Sequence, residues 1–427
     1  MIKQRMQLSD NGRIEKRNGK RFPVLFSLLL CAWSMLFFAP CRALGQYKNV
    51  DFGFHLTFLG KSEQYKKALD AIAKDGIAHI SVYEPFTYHL YNDQNKMVSI
   101  IKNIMGTNFN LLISLSDYPY ENVPFETLYQ KYSSKIYLPK AQVQSIYTFS
   151  NRFPPSDLGA YSLYLRGFIA KLQDSGLLNR IIFEIGSEPD SYLYFWGEAT
   201  DFKNIFDASY KILTDFNRPA LCCGLTTELF SPTTDKQKTF RQFADSDTLV
   251  GTTVPFSCSL FFNIGQGFID YSNVVYGKLK NGMITSFSIF TAVTDQTPDR
   301  INLINSGKFV VHFAKLLDFA YRNDVRRIYL WRLMDAADEQ GRLGFFDRAG
   351  NPKKSYEYFL KVSRIVRNGY VVRKTGTYVE ISGRDRVLLV ALQPLRIDVT
   401  KNKIIETSFL RSYNNNLVAE EWVMYEK

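Results

Sequence analysis

The chain has 427 residues, enough for one domain of about 250 to 330 residues and a small additional module. Hydrophobic residues make up 46% of it and charged residues 22%, which excludes both a largely disordered chain and a protein built mainly from membrane spans. The formal net charge of +12 is unevenly distributed, because the first 45 residues hold eight basic and two acidic residues and leave +6 for the remainder.

The N-terminal segment has the order of a signal peptide. A basic lead ends at Arg21, an apolar run follows over residues 22–40, and small residues come next at Ala43-Leu-Gly45. We therefore predict that residues 1–45 direct export and are cleaved after Gly45, so that the protein is periplasmic, attached to the cell surface or secreted. The apolar run nearly spans a bilayer, so an uncleaved membrane anchor is the alternative.

The composition of the chain after residue 45 narrows the classes of partner that the protein can bind. A mild positive charge suits an acidic polysaccharide or an anionic surface, whereas no basic cluster alternates with aromatic residues, so the sequence predicts no nucleic-acid binding. Cys222, Cys223 and Cys258 lack the CxxC spacing of a zinc site, although one disulfide bridge to Cys258 stays open in an oxidising compartment. The four histidines show no ligand spacing, and we predict neither a metal nor a cofactor.

From residue 50 onward, short β-rich apolar runs alternate with longer segments of helical period. This alternation is typical of parallel βα units, and eight such strands predict a (β/α)₈ TIM barrel over residues 46–368. The predicted strands are 50–58, 78–83, 110–116, 180–185, 219–225, 248–254, 282–288 and 327–331. One predicted helix begins at Ser62, and four others cover 161–174, 201–214, 307–321 and 354–367.

Two segments depart from the barrel pattern. Residues 117–157 are rich in Tyr and Pro and exceed what a connection requires. Because they follow the carboxyl end of a strand, where barrels place their active sites, they are candidates for a cleft wall. Short alternating runs after the last helix predict a small C-terminal β module over residues 369–427, which needs the barrel for stability.

The most informative motif is Ile181-Ile-Phe-Glu-Ile-Gly-Ser-Glu-Pro-Asp190. A strand ends near Ile185 and a carboxylate, Glu188, follows it, where a Glu side chain can protonate a glycosidic oxygen. The motif resembles the fourth-strand Trp-Asn-Glu-Pro of clan A glycoside hydrolases, most closely family 39 and its exopolysaccharide-hydrolase relatives. That resemblance implies that Glu188 is the acid/base. Ser187 replaces the motif's Asn, which binds the 2-hydroxyl of the sugar, and Gly186 replaces its Trp.

A second resemblance begins at the eighth strand, Tyr329-Leu-Trp-Arg-Leu-Met-Asp335, and continues through Leu343-Gly-Phe-Phe-Asp347. Members of the family end similarly, with a strand-borne Trp under the sugar ring and a Gly-Leu-Phe-Asp-like loop. The resemblance implies that Trp331 is the stacking platform and that Asp335 lies with it at the substrate site.

The seventh strand departs from the family. Clan A places its nucleophilic Glu there, and the matching stretch is Met283-Ile-Thr-Ser-Phe287, with Ser286 at the position of the Glu. A serine hydroxyl has no charge to stabilise an oxocarbenium-like centre, so the usual double displacement is not supported. Asp295 and Asp299 in the following loop are candidates for a displaced carboxylate, although loop aspartates more often cap helices or remain solvated.

Other polar and aromatic residues lie near or just beyond the carboxyl ends of the predicted strands, at the same rim. We expect sugar contacts from these candidates, listed in chain order: His55, Glu84, Asp117, Ser187, Trp196, Ser286 and Asp335. Three functions remain open at this point: a hydrolase of an extracellular or capsular polysaccharide that uses Glu188, a non-catalytic polysaccharide-binding barrel, and a scaffold in surface assembly.

Overall fold

The structure is a computed structural model that describes residues 46–427 except 57–61, 83–92, 120–122, 137, 149, 192, 227–233, 246–255, 264–279, 291–306, 336–342, 393–394, 399–402, 409, 414–415 and 420. The predicted signal peptide therefore lies outside the described residues. In the described part of the chain, no helix is both long and apolar enough to cross a membrane.

Eight parallel strands close into a barrel in which each strand pairs with the next and the last strand pairs with the first. The predicted (β/α)₈ barrel is thereby confirmed. The strands are β1 (Asp51–Leu56), β2 (His79–Val82), β3 (Asn110–Leu115), β4 (Ile181–Ser187), β5 (Ala220–Thr226), β6 (Phe256–Asn263), β7 (Met283–Phe290) and β8 (Arg327–Leu330).

The sixth strand lies elsewhere than predicted. The predicted position is 248–254, which lies outside the described residues, whereas the structure has the strand at Phe256–Asn263, immediately after Pro255. Both stretches are rich in β-branched or aromatic residues, so their composition does not distinguish them. Proline has no N–H for a sheet ladder and separates the two, which leaves the second stretch free to pair without interruption.

Helices surround the barrel and cover its strands. Their apolar faces join the strands in one continuous core; on the helix Lys308–Arg322, for example, Phe309, Phe313 and Leu317 are buried. The helices are α1 (Ser62–Lys74), α2 (Gln94–Met105), α3 (Phe125–Tyr132), α4 (Lys140–Tyr147), α5 (Leu158–Asp174), α6 (Ala199–Asp215), α7 (Asp235–Asp245), α8 (Lys308–Arg322) and α9 (Lys354–Val366).

The long connection between β3 and α5 contains α3 and α4 and has a small core of its own. Leu128, Tyr132 and Val143 are buried there together with Phe153. Trp196, from the connection after β4, completes this core, and its ring contacts that of Phe153 with centroids 4.7 Å apart. The connection is thus a helical lobe, hereafter the β3–α5 lobe, that packs against the segment following β4.

The C-terminal part forms two antiparallel sheets and packs on the barrel helices. Ile381, Leu388 and Trp422 belong to the same core as the barrel, and residues 47–427 form one compact unit. The strands are β9 (Val371–Lys374), β10 (Tyr378–Ser382), β11 (Arg386–Ala391), β12 (Leu395–Asp398), β13 (Lys403–Thr407), β14 (Leu410–Tyr413), β15 (Asn416–Ala419) and β16 (Trp422–Glu426). The predicted boundary after residue 368 falls between α9 and β9. A five-stranded sheet has the order β13-β16-β11-β10-β9 and a three-stranded sheet the order β12-β15-β14.

Candidate active site

Glu188 follows directly after the last residue of β4 and begins a tight turn. The backbone N–H of Ser191 donates to the carbonyl of Glu188 at 2.9 Å, with Pro189 inside the turn. Glu188 itself has φ 48° and is 3% exposed. A left-handed backbone costs a residue with a Cβ about 1 to 2 kcal/mol, so the surrounding contacts must hold Glu188 in this conformation.

Gly186 explains why the tryptophan of the family motif is absent. Its φ is +79°, and a Cβ added there would lie 2.4 Å from Cε2 of Phe202 on α6. Phe202 is fully buried and occupies the space that a side chain at position 186 would need. The replacement is therefore coupled to the packing of α6 on the end of β4.

Ser187 is buried beside Glu188. Its Oγ has no hydrogen-bond partner among the described residues, and its backbone pairs with Gly224 of β5. A serine side chain is shorter than the asparagine of the motif and offers one hydroxyl where an amide offers both a donor and an acceptor group.

At the junction of β1 and β8, two of the predicted residues lie in contact. The rings of His55 and Trp331 stack with centroids 4.4 Å apart and an interplanar angle of 15°. The indole remains partly exposed, whereas His55 is buried with Nδ1 lying 3.1 Å from Oγ of Ser81. Burial, and secondarily the nearby charge of Arg332, hold the pKa of His55 well below its usual value, so this imidazole is neutral at pH 7. The Trp331–Arg332 peptide bond is cis.

Asp117 lies just beyond the end of β3, as the predicted strand placed it. Its side chain is 4% exposed and its charge contributes to the raised pKa of Tyr164 on α5, although burial of the phenol is the larger cause. Asp117 therefore faces the β3–α5 side of the rim.

Two of the residues predicted to contact a sugar make contacts within the protein itself. Trp196 is 2% exposed where it packs against the β3–α5 lobe, so packing accounts for the burial of its ring, and its predicted sugar contact stays a prediction. Asp335 accepts a hydrogen bond from the backbone of Gly344 at 2.8 Å and forms an ion pair with Lys353 at 2.9 Å. These contacts hold the segment that follows β8 and leave the predicted role of Asp335 at the sugar untested.

At position 286, where clan A has its nucleophilic Glu, the structure describes only the backbone. Ser286 lies in β7 opposite Ser259 of β6, next to a register shift that begins after Ile284. The side chain of Ser286 lies outside what the structure describes, and so do residues Glu84, Asp295 and Asp299. Their roles stay predictions.

A carboxyl group that was not among the predicted site residues lies inside the barrel. Glu184 of β4 is fully buried and accepts hydrogen bonds from the hydroxyls of Ser114 on β3 and Ser257 on β6. Burial raises the pKa of Glu184 above its usual value, and the two hydroxyls act in the opposite direction. The signal was present as a lone Glu between the apolar residues Phe183 and Ile185, since such a position must point into the barrel interior or the helix layer.

The described residues contain no cluster of His, Cys, Asp and Glu that would hold a metal ion. No family model matches the chain, and no curated protein matches it by sequence.

Solved structures do match. A family 39 glycoside hydrolase from Bacteroides cellulosilyticus aligns with a TM-score of 0.52 at 13% identity, over 89% of this chain and 81% of the other. A family 30 subfamily 8 xylanase from Clostridium acetobutylicum aligns with a TM-score of 0.53 at 14% identity, over 90% and 98% of the two chains. This chain has the fold of the clan A glycoside hydrolases. The resemblance stated from the sequence is confirmed at the level of fold; at such identities it does not extend to the chemistry.

The Gly186 contact predicts the effect of adding one methyl group. Gly186→Ala should lower the free energy of unfolding by about 2 to 4 kcal/mol, because left-handed strain and overpacking against Phe202 add. Gly176→Ala is the matched control, since Gly176 has φ +70° and open space around it, and should cost about 1 kcal/mol. Denaturant unfolding of both variants measures the difference, and equal losses would contradict the Phe202 contact.

The raised pKa of Glu184 predicts a pH-dependent stability. The folded state keeps the proton above the pH at which the unfolded chain loses it, so this stabilisation is complete below the ordinary carboxyl pKa and is lost as pH rises through the folded-state value. Glu184→Gln cannot ionise, so its stability relative to wild type should increase from pH 5 to pH 8. Urea unfolding at several pH values tests this, with the exposed Glu126→Gln as control. A difference independent of pH would show that the Glu184 pKa is not raised.

Proposed function

We propose that this protein acts on an extracellular or capsular polysaccharide as a glycoside hydrolase-like barrel, with Glu188 as the general acid/base. The observation that carries the proposal is the position of Glu188, immediately after β4 in a closed parallel barrel, in a left-handed turn that the local structure maintains. The named functions of the structural neighbours, a glycoside hydrolase and a xylanase, support a carbohydrate as the substrate.

Glu188 has the chemistry that glycosidic cleavage needs. A carboxylic acid at the rim can donate its proton to the leaving oxygen as the bond to the anomeric carbon breaks, and its conjugate base can then accept a proton from water. The strained backbone restricts the positions that this carboxyl group can adopt. Restriction of this kind favours a fixed distance to the reacting oxygen.

Trp331 supplies the surface on which a sugar ring would stack. His55 covers one face of the indole, so a sugar can use only the remaining exposed part. Because His55 is neutral and held by Ser81, the support under the indole carries no charge at pH 7. An apolar platform with a fixed orientation suits the apolar face of a pyranose.

The alternative function is a polysaccharide-binding barrel without catalysis. Two observations favour it: Ser286 stands where clan A has its nucleophile, and Ser187 stands where the motif has a sugar-binding Asn. Export through the N-terminal segment fits both functions, since the polymers concerned lie outside the cell.

The serine at position 286 predicts that turnover can be rescued by supplying a nucleophile. Wild type should hydrolyse dinitrophenyl glycosides negligibly, whereas Ser286→Glu, or added formate or azide, should raise turnover by at least about tenfold, because a nucleophile is restored beside the surviving acid. Release of dinitrophenol measures the rate. Ser286→Gln has the size of Glu without its charge and should give no rescue, and adding Glu188→Gln to Ser286→Glu should abolish the gain.

Two outcomes would contradict this account of the site. Strong wild-type turnover that survives Ser286→Ala would assign the second role to another carboxylate, for which Asp295 and Asp299 are candidates. Absence of rescue in a variant that still binds polysaccharide would leave the binding function.

The platform role of Trp331 predicts a separation of binding from stability. Trp331→Ala should weaken polysaccharide binding by about tenfold or more while changing the free energy of unfolding little, because the ring is only partly packed. Trp196→Ala is the matched control and should instead lose about 3 to 5 kcal/mol of stability, because that ring is buried. Affinity electrophoresis in gels containing neutral or acidic polysaccharides, with thermal unfolding, measures both. A large loss of stability in Trp331→Ala with unchanged binding would assign Trp331 to the core.

A further inference from the structure

The segment after β4 has a second anchor besides its own turn. The carboxylate of Asp190, 1% exposed, accepts a hydrogen bond from the hydroxyl of Thr226 at 2.6 Å. The backbone N–H of Thr226 also lies 3.2 Å from each oxygen of the same carboxylate. Thr226 is the last residue of β5, so Asp190 binds the neighbouring strand at its rim.

This contact lies directly beyond the end of the β4–β5 ladder. The last backbone pair of the two strands joins Ser187 to Gly224. Asp190 and Thr226 join the strands again a few residues further along each of them. Glu188 and Pro189 lie between these two points, and proline fixes its own φ, so the backbone of Glu188 is held from both sides.

The far end of the same segment is also held from the β5 side. Nζ of Lys236 on α7 donates to the carbonyl of Phe195 and lies 5.2 Å from the centroid of the Phe195 ring. Within the segment, the N–H of Phe195 donates to the carbonyl of Ser191 at 3.0 Å. The contacts of Asp190 and Lys236 therefore connect the two parts of residues 188–195 to the end of β5 and to the helix α7 that follows it.

We propose that Asp190 is the positioning residue for Glu188: by binding the backbone N–H and hydroxyl of Thr226, its carboxylate fixes the left-handed turn that presents Glu188 at the barrel rim. A buried carboxylate with charge-assisted hydrogen bonds is a strong anchor, because breaking such bonds costs more than breaking hydrogen bonds between neutral groups. The fixing of the turn is independent of catalysis, whereas the consequence for turnover rests on the proposed function of Glu188.

The first test measures the turn itself and needs no substrate. Thr226→Val keeps the shape of the side chain and the backbone N–H but removes the hydroxyl. Hydrogen exchange of peptides covering residues 188–195, followed by mass spectrometry, should be about tenfold faster than in wild type. Thr226→Ser retains the hydroxyl and should exchange as wild type does. Thr214→Val removes an exposed hydroxyl that also donates a hydrogen bond, and serves as the control for the substitution.

The second test measures the effect on Glu188. In the Ser286→Glu chain, Thr226→Val should lower kcat about tenfold with KM within about twofold, since positioning of the acid affects the transition state more than binding. Thr226→Ser should restore kcat. In either chain, the titration midpoint of the Glu188 carboxyl, obtained as the infrared difference between each protein and its Glu188→Gln form, should shift in Thr226→Val and return in Thr226→Ser.

The outcomes separate this proposal from the proposed function. Unchanged exchange of residues 188–195 in Thr226→Val would overturn the anchor. Faster exchange with unchanged Glu188 titration would overturn positioning. If the Ser286→Glu chain shows no turnover, the proposed function fails, and the exchange and titration still decide the role of Asp190. Should Thr226→Val fail to fold, Asp190→Asn, which keeps the size and loses the charge, should show the same changes.

Discussion

The pairing of β8 with β1 is the constraint on which the arrangement of the rim depends. Because the barrel closes with all strands parallel, the carboxyl end of every strand lies at the same rim, whatever the separation of the strands in sequence. Closure brings His55 beside Trp331, whose strands are the first and last of the barrel. It also places Glu188, from the opposite side of the barrel, at the rim they share.

Inside the barrel, one carboxyl group connects strands that are not all neighbours. Glu184 of β4 binds Ser114 on the adjacent β3 and Ser257 on β6, with β5 between β4 and β6. Hydrogen bonds that cross the interior fix the relative height of the strands more specifically than apolar contacts do, because an unpaired buried carboxyl is expensive. The interior thus supports the end of β4 from which Glu188 and its turn project.

Most of the barrel could be predicted from the sequence, because apolar periodicity and strand spacing are local properties. Periodicity predicted seven of the eight strands near their observed positions, and it predicted the helices α1, α5, α6, α8 and α9. The predicted position of the sixth strand was wrong because two successive stretches have the same β-rich composition. Glu188 was predictable because its position depends only on where β4 ends.

The parts of the site that were not predictable depend on residues distant in sequence. The burial of Trp196 results from the β3–α5 lobe, whose fold is not visible in a Tyr- and Pro-rich composition. The ion pair of Asp335 requires Lys353, which is distant in sequence and comes close to Asp335 only in the folded chain. In the same way, nothing local indicates that Asp190 meets Thr226 or that Phe202 fills the space above Gly186.

The left-handed backbone of Glu188 sets stability against chemistry at a single residue. Glycine, and to a lesser degree asparagine, adopts φ 48° with less strain than glutamate, so either replacement would relieve the backbone while removing the acid. A barrel that had no use for a carboxyl at this position would gain stability by exchanging it. Thermostabilising mutagenesis that selects for folding alone is therefore expected to discard Glu188 early, and selection on a carbohydrate is expected to retain it.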